Sequence, residues 1–232
     1  GISGILAAKN AAKNNLKTLL VDEKNELGGS TIYQNREFNK IENQSSSDWL
    51  KKEIQELRNI KNLEIKTRTS VAAFHGYNYL LARENFTDHL GKKDKEGKIR
   101  QRLLKIRAKK VILATGALER PLIFNNNDRP GIMLSSAVKK YADFYGVVSG
   151  KKNVFFTNND TAYESAFCLH NKGIKVEAVI DIRESSNSKI VKAVEEAGIK
   201  IYWSSTIVDT TGYKRLNSVS VMKLSNDGLS VT

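Results

Sequence analysis

The sequence predicts an α/β fold in which one β-α-β unit is followed by a second, with an antiparallel β insert in the first. The first observation is a Gly-x-x-Gly turn at residues 1–4 that leads into a small-residue helix and a short apolar strand. The second is a strand-helix-strand-helix-strand series over residues 153–203. The third is a change to a period of two over residues 63–86, which is typical of antiparallel strands. We place the domain boundary between residues 148 and 149, which gives domains 1–148 and 149–232.

The first unit opens with a turn, a helix and a strand that are typical of nucleotide binding. Residues 5–14 carry small and apolar side chains at helical spacing, and residues 17–21 form a short apolar strand. Asp22 follows this strand 18 residues after Gly4, close to the roughly 20 expected of an acid that binds a ribose. Because glycines let the backbone approach a pyrophosphate at a helix N-terminus, we predict a Rossmann-like FAD/NAD(P)-binding domain.

The acid after the strand narrows the choice of nucleotide. Asp22 is the choice by spacing and Glu23 is the alternative, because motif counts slip by one residue in this turn. An acid here disfavours a ribose 2′-phosphate, so FAD, NAD or an adenine nucleotide is expected rather than NADP. Gly1 and Gly4 read as the second half of a Gly-x-Gly-x-x-Gly turn. We therefore expect an internal fragment that lacks the first strand and first glycine and binds nucleotide poorly by itself.

The remainder of the first unit supplies a glycine pair, a second helix and the insert. Gly28 and Gly29, followed by Ser30, form either a plain turn or a loop that passes the ligand. An apolar stripe predicts a helix that starts at Ser47, and three short strand candidates follow. The charged stretch over 87–101 predicts an exposed hairpin loop.

A fully buried strand is predicted over residues 111–117, ending in Thr115 and Gly116. Such a strand places a hydroxyl and a glycine at the carboxyl edge of a parallel sheet, where open α/β sheets bind ligands. A buried strand followed by a tight turn without a ligand has the same pattern, so both interpretations stay open from these residues alone.

The turn that opens the second unit contains no glycine. It reads Thr157-Asn158-Asn159-Asp160-Thr161-Ala162, and these side chains would hold the backbone away from a pyrophosphate. Asp160 would repel a phosphate and is suited to cap the helix. We therefore predict a second Rossmann-like domain without ordinary nucleotide binding at this turn.

The join between the units carries two arginines that each precede a proline, Arg120 and Arg129. Their guanidinium groups could meet a phosphate or a carboxylate ligand. The interpretation that we favour is an interdomain ion pair with Glu119 or Asp128.

Composition excludes several classes of site. Cys168 is the only cysteine, which excludes an internal disulfide, a four-cysteine metal site and a redox cysteine pair within this segment. The three histidines are scattered, so no metal site is expected. No apolar stretch approaches the ~20 residues of a membrane span, so no membrane is expected. With a single cysteine, a reducing, cytoplasmic setting is the simplest interpretation.

The formal net charge of +13 raises the question of an acidic partner. Lysine pairs are spread along the chain without a recognisable nucleic-acid-binding motif, so no nucleic-acid partner is expected. A basic face for an acidic partner subunit stays open, and binding that weakens with salt would be its signature.

The ordered motifs resemble those of two-dinucleotide-domain flavoprotein reductases, of the pyridine nucleotide-disulfide oxidoreductase type. The join is more specific and resembles the α subunits of heterotetrameric sarcosine oxidases, as does the glycine-free turn. The segments that carry this resemblance are Ala-Thr-Gly-Ala-Leu-Glu-Arg-Pro-Leu-Ile-Phe over 114–124, Asn-Asn-Asp-Arg-Pro-Gly-Ile-Met over 126–133, and Phe-Thr-Asn-Asn-Asp-Thr-Ala-Tyr over 156–163.

The resemblance implies oxidative demethylation of sarcosine, a small amine, in a multi-subunit complex. It implies FAD and substrate oxidation in a flavin-bearing β subunit, FMN near the subunit interface and NAD in the α subunit. It covers an internal portion of a longer subunit, without the family's folate-binding domain. Carried over by motif, the residues lining the dinucleotide site are Gly1, Gly4, Asp22, Gly28, Gly29, Ser30, Thr115 and Gly116. No catalytic residue is implied in this segment.

Two alternatives remain open beside an oxidoreductase subunit that binds NAD or FAD. One is an NAD(P)H-dependent flavin oxidoreductase or a related amine or opine dehydrogenase subunit. The other is a non-catalytic scaffold that retains a nucleotide for stability.

Overall fold

A computed structural model describes residues 1–33, 40–91 and 97–232. The chain forms two compact units, Gly1–Ala117 and Leu118–Thr232. These units are defined by their compactness and not by nucleotide binding. The predicted domain boundary between residues 148 and 149 therefore stays a prediction.

The first unit combines a small parallel sheet, two α-helices and an antiparallel sheet. Its elements are α1 (Ile2–Lys13), β1 (Thr18–Val21), a 3-10 turn (Gly29–Tyr33), β2 (Lys40–Ile41), β3 (Gln44–Ser45), α2 (Ser46–Arg58), β4 (Leu63–Lys66), β5 (Thr69–His75), a 3-10 turn (Gly76–Asn78), β6 (Tyr79–Asn85) and β7 (Gln101–Arg107). Strands β1 and β4 pair in parallel, with Thr18 opposite Leu63. The predicted first helix, first strand and second helix are confirmed.

The core of the first unit lies where α1 and α2 meet the parallel sheet of β1 and β4. Its buried members are Ile5, Leu27, Trp49, Leu50 and Leu57. Apolar residues three and four apart on α2 give that helix one buried face, as the sequence pattern predicts.

The antiparallel insert is confirmed. Strands β5, β6 and β7 form a sheet in that order, and both pairings are antiparallel. The predicted hairpin loop connects β6 to β7, and residues 92–96 of it lie outside the described residues.

The predicted buried strand over 111–117 is wrong. The segment has no regular secondary structure, and Ile112 and Leu113 are 68% and 69% exposed. A buried strand needs backbone partners on a neighbouring strand. The parallel sheet described in this unit consists of β1 and β4, and neither strand pairs with this segment.

The second unit contains the predicted Rossmann-like series. Its elements are α3 (Ser135–Phe144), β8 (Lys152–Thr157), α4 (Thr161–Asn171), β9 (Lys175–Asp181), α5 (Lys189–Glu196), β10 (Lys200–Tyr202), β11 (Ser205–Thr211) and β12 (Ser218–Lys223). Strands β8, β9 and β10 are parallel, in the order β10-β9-β8. Strands β11 and β12 form an antiparallel hairpin near the end of the chain.

A buried ion pair ties helices together in each unit. In the first, Lys9 of α1 donates to both carboxylate oxygens of Glu53 on α2, at 2.8 and 2.7 Å. In the second, Lys139 of α3 donates to Glu164 of α4 at 2.9 Å. Across residues 1–33, 40–91 and 97–232, none of the helices has the length and apolar character needed to span a membrane.

Candidate functional site

The N-terminus of α1 is open to an anion. Gly1 occupies the N-cap position, no side chain accepts a hydrogen bond from the first turn, and that turn has no acidic residue. A helix N-terminus has unpaired N–H groups and a partial positive charge. A β-carbon added at Gly1 would have no atom within 4 Å.

Gly4 serves a different purpose from Gly1. A β-carbon added at Gly4 would lie 3.2 Å from Cβ of Ala114 and 3.9 Å from Cδ1 of Leu20. The glycine therefore allows α1 to pack closely against the segment over 111–117. Close helix packing is the role expected of the last glycine in a dinucleotide turn.

The Gly28–Gly29 turn lies against Gly1. Gly29 has a φ of +60°, and a β-carbon added there would lie 3.0 Å from Cα of Gly1. Gly28 has a φ of +133°, and its β-carbon would collide with Leu50 and Ile32 at 2.5 and 2.9 Å. Gly28 is thus required by core packing, whereas Gly29 borders the open end of α1.

Asp22 stands at the same place. Its Oδ1 accepts a hydrogen bond from the backbone N–H of Lys24 at 2.9 Å, and its Oδ2 lies 4.0 Å from the nitrogen of Gly1. The side chain is 16% exposed. One carboxylate oxygen therefore fixes the turn, and the other faces the N-terminus of α1.

The other predicted site residues lie on the surface. Glu23, Ser30, Thr115 and Gly116 are all exposed. Gly116 has a φ of +73°, and the segment that carries it passes α1 at Ala114. Gly1, Asp22 and Gly29 thus lie together, whereas no hydrogen bond or ion pair within the described residues joins the side chains of the other four to that group.

The corresponding turn in the second unit is closed by its own side chains. Oδ1 of Asn159 accepts hydrogen bonds from the N–H and hydroxyl of Thr161 at 3.0 and 2.5 Å. Asp160 takes the N-cap position but makes no side-chain cap hydrogen bond, so its predicted capping role is wrong. The carboxylate instead accepts from Arg183 at 2.8 Å and from Ser186 at 3.1 Å. Burial raises the pKa of Asp160, but the hydrogen bonds from Arg183, Ser188 and Ser186, with the charge of Arg183, together outweigh it and lower that pKa below its usual value.

A buried carboxylate lies beside this turn, at the end of β9. Asp181 is fully buried, and its Oδ2 accepts from the Tyr163 hydroxyl at 2.8 Å and from Nη2 of Arg183 at 2.7 Å. Its Oδ1 accepts from the backbone N–H and Nε of Arg183, at 2.9 and 3.0 Å. Burial, as the larger cause, and the hydrogen bond to Asp181 both raise the pKa of the Tyr163 hydroxyl.

Sequence reasoning missed this cluster, which we call the Asp181 cluster: Asp160, Tyr163, Asp181 and Arg183. A signal was present, because Asp181 ends a buried strand as Asp22 follows β1, and Arg183 comes two residues later. An acid or an arginine at this position contacts the ribose in a nucleotide-binding unit. Here the acid and the arginine bind each other.

The residues at the join are also placed differently from the prediction. The carboxylate of Glu119 accepts from the backbone N–H groups of Ser135 and Ser136 at 3.0 and 2.8 Å, so it caps α3. Arg129 donates to the hydroxyl and carbonyl of Thr210 at 3.2 and 3.4 Å. In the described part of the chain neither arginine pairs with Glu119 or Asp128, so the favoured ion-pair interpretation is wrong.

The five α-helices of the described residues differ at their N-termini. Side-chain oxygens accept from the first-turn N–H groups of four of them: Ser45 at α2, Glu119 at α3, Asn159 at α4 and Ser188 at α5. The first turn of α1 has no such acceptor. The residues around α1 therefore fit the phosphates and ribose of a dinucleotide, and those around α4 do not.

Metal and thiol chemistry have little support in the described ranges. They contain no group of three or more His, Cys, Asp or Glu side chains placed to hold a metal ion. Cys168 is buried and donates to Asp143 at 3.2 Å. Burial, with the neighbouring Asp143 carboxylate, raises the pKa of its thiol to about 12.

The chain is similar to known proteins along most of its length. The family model described as pyridine nucleotide-disulphide oxidoreductase matches residues 1–231. The sarcosine oxidase subunit alpha of Corynebacterium sp. (strain P-1) is 38% identical over 229 residues, which are 98% of this chain and 23% of that protein. The sarcosine oxidase subunit alpha of Rhizobium meliloti (strain 1021) is 32% identical over 95% of this chain and 22% of that protein. The chain thus spans about a fifth of the length of these relatives.

Solved structures support the fold. The L-proline dehydrogenase of P. horikoshii has a TM-score of 0.63 and 23% identity, covering 94% of this chain and 36% of that one. The thioredoxin reductase of Lactococcus lactis has a TM-score of 0.64 and 20% identity, covering 100% of this chain and 71% of that one. Together with the two Rossmann-like series and the glycine turn against α1, the family match shows that the chain belongs to the pyridine nucleotide-disulphide oxidoreductase family.

Proposed function

We propose that these residues form the dinucleotide-binding part of the α subunit of a sarcosine oxidase-like complex. The proposed ligand of the first unit is NAD or FAD. The proposed partner is a flavin-bearing β subunit that oxidises sarcosine, a small secondary amine, with FMN at the interface between the subunits. The similarity to two subunits named sarcosine oxidase subunit alpha supports this proposal. We place the complex in the cytoplasm, consistent with a single buried thiol.

The observation that carries the proposal is the open N-terminus of α1 beside Gly29 and Asp22. The first-turn N–H groups of α1 would bind the pyrophosphate, and Gly1 and Gly29 leave the backbone accessible. Oδ2 of Asp22, which lies 4.0 Å from the amino group of Gly1, would accept hydrogen bonds from the ribose hydroxyls. Ser30, Thr115 and Gly116 would border the ligand, with Glu23 as the alternative to Asp22.

The residues of this chain bind and orient in this proposal, and none of them acts as acid, base or nucleophile. A bound dinucleotide supplies redox chemistry or, where it is only retained, stability. Asp181 and Arg183 neutralise each other, which leaves neither free to recognise a second nucleotide. The proposal therefore places one dinucleotide in the first unit and amine oxidation in the β subunit.

The test uses the full-length subunit purified with its partner, in the native form and as D22N and E23Q. Mass spectrometry identifies the nucleotide released on denaturation, and titration gives its affinity. D22N keeps the acceptor for the N–H of Lys24 but removes a charge at the ribose, so we expect about 10- to 100-fold weaker binding. E23Q is the matched control, with less than about a 3-fold change.

The possible results separate the alternatives. Release of NAD or FAD, weakened by D22N alone, together with sarcosine oxidation by the complex, supports the proposal. Absence of a bound nucleotide, or equal effects of D22N and E23Q, would contradict the site. Rapid flavin bleaching by NADH in the isolated subunit would favour a self-contained flavin reductase. Bound nucleotide without amine oxidation would favour a scaffold, and turnover of proline or an opine in place of sarcosine would favour a related dehydrogenase.

A further inference from the structure

The antiparallel sheet β5–β7 has two faces of different character. Alternate residues of a strand point to opposite faces. On one face, Leu80 and Ala82 of β6 are buried, at 7% and 0% exposure. The register places Arg83 opposite Leu103 and Leu81 opposite Lys105 on the other face. Leu103 is 62% exposed, and Arg83 and Lys105 are also exposed, so this second face points outward.

The outward face is basic and carries no acid. Its cations are Arg83, Lys105 and Arg107, and none of them forms an ion pair with a carboxylate in the described residues. The only acidic residue of the three strands is Glu84, on the inward face, where Lys66 and Arg102 lie 3.0 and 3.7 Å from it.

The three cations form one group. Residues two apart on a strand are separated by about 7 Å, and diagonal cross-strand neighbours by about 7–8 Å. Lys105 and Arg107 stand in the first relation, and Arg83 and Lys105 in the second. Their mutual repulsion is relieved when carboxylates of another molecule contact them.

The basic face, defined as Leu81, Arg83, Leu103, Lys105 and Arg107, also has the composition of a protein interface. Leu103 and Leu81 supply apolar surface between the cations. The guanidinium of Arg107 lies over the ring of Tyr79, 5.3 Å from its centroid, which holds it in place. Arginine and aromatic residues are enriched in protein interfaces.

We propose that the basic face is the docking surface for an acidic face of the flavin-bearing subunit. This inference rests on the proposed function, which supplies the partner. The partner face would have an apolar centre that meets Leu81 and Leu103, flanked by Asp or Glu side chains that meet the three cations. Carboxylates there would accept hydrogen bonds from Arg83, Lys105 and Arg107.

The experiment measures the dissociation constant between the purified full-length subunit and the flavin-bearing subunit, by biolayer interferometry at low and high salt. The test variant is R83E/K105E, and the matched control is K51E/K52E. Lys51 and Lys52 are exposed on α2, so the control makes the same change of net charge elsewhere on the same unit. R83Q/K105Q removes the charges without reversing them, and thermal melting of each variant verifies the fold.

At ~0.15 M salt we expect the dissociation constant to rise by about 100-fold or more for R83E/K105E and by about 10-fold for R83Q/K105Q. For the control K51E/K52E we expect a change of less than about 3-fold. Raising the salt should weaken the native complex and leave R83E/K105E little changed. Carbodiimide cross-linking, which joins an amine to a carboxylate, should link Lys105 to an Asp or Glu of the partner.

Four results would overturn the inference. Equal weakening by the test and control variants would show an effect of net charge alone. If R83E/K105E associates with the partner as tightly as the native subunit does, this docking surface is rejected while the proposed function stands. The same conclusion follows if the native subunit binds single-stranded RNA, R83E/K105E alone loses that binding, and the subunits still associate. Failure of the native subunits to associate would reject the proposed assembly itself, and the docking surface with it.

Discussion

Replacing Tyr163 with phenylalanine should destabilise the second unit through one hydrogen bond. The hydroxyl donates to the buried carboxylate of Asp181 at 2.8 Å. The substitution keeps the ring, which stacks on Trp203 with 6.2 Å between centroids, so it opens no large cavity. A hydrogen bond to a charged group contributes about 1.5–3 kcal/mol. Because Arg183 still donates to Asp181 at both oxygens, we expect a loss in the lower half of that range.

Two comparisons calibrate this prediction. Y213F is the matched control, because Tyr213 is 90% exposed, and it should change the free energy of unfolding by less than about 0.5 kcal/mol. R183M removes the cation and leaves the buried carboxylate of Asp181 with two neutral donors, the Tyr163 hydroxyl and the backbone N–H of residue 183, so it should cost about 3–5 kcal/mol. The structure therefore predicts the order R183M, then Y163F, then Y213F, from most to least destabilised.

The assay is urea denaturation of the full-length subunit, with hydrogen exchange of the β8 and β9 amides as the local readout. Protection of these amides should fall in Y163F and stay unchanged in Y213F. The reasoning is refuted if Y163F and Y213F lose the same free energy, or if R183M is no less stable than Y163F.

Three further predictions concern other groups. Burial raises the pKa of Glu119, but hydrogen bonds from the first turn of α3 outweigh it, so its pKa is lowered. E119Q should therefore lower the free energy of unfolding by about 1 kcal/mol near pH 7. Urea titrations should show this difference between the variant and the native protein vanishing as the pH falls through the lowered pKa. Cys168, with its thiol bonded to Asp143, should resist iodoacetamide at about pH 8 and react after unfolding, as mass spectrometry would show; native labelling would contradict its burial. K9M should lower the free energy of unfolding by about 3 kcal/mol, because it leaves Glu53 buried without its cation. In urea titrations the double variant K9M/E53L should recover most of this loss.

Local patterns predict most of the fold. The strand-helix-strand-helix-strand series predicted over residues 153–203 is confirmed, because apolar runs and helical spacing depend on neighbours in the sequence. The strand over 111–117 is wrong for the opposite reason. Burial of Ile112 and Leu113 requires partner strands, and the composition of the segment does not report whether such strands are present.

The candidate site divides in the same way. The positions of Gly1, Gly29 and Asp22 follow from motif spacing, because one turn and one strand bring them together. The pairing of Asp160 with Arg183 spans 23 residues and two elements, so no local pattern predicts it. Reading Asp160 as the cap of α4 is wrong because Asn159, one residue earlier, has its amide oxygen aimed at the first-turn N–H.

The two Rossmann-like series show how similar backbones acquire different ligand chemistry. Each places a helix N-terminus at the carboxyl end of a parallel strand, and both ends attract negative charge. At α4, Asn159 supplies that charge from within the chain, and Asp160 satisfies Arg183, so a phosphate would have to displace two sets of hydrogen bonds. At α1 the first-turn N–H groups have no side-chain acceptor in the described residues. An incoming phosphate would there break no hydrogen bond to a side chain of the described residues.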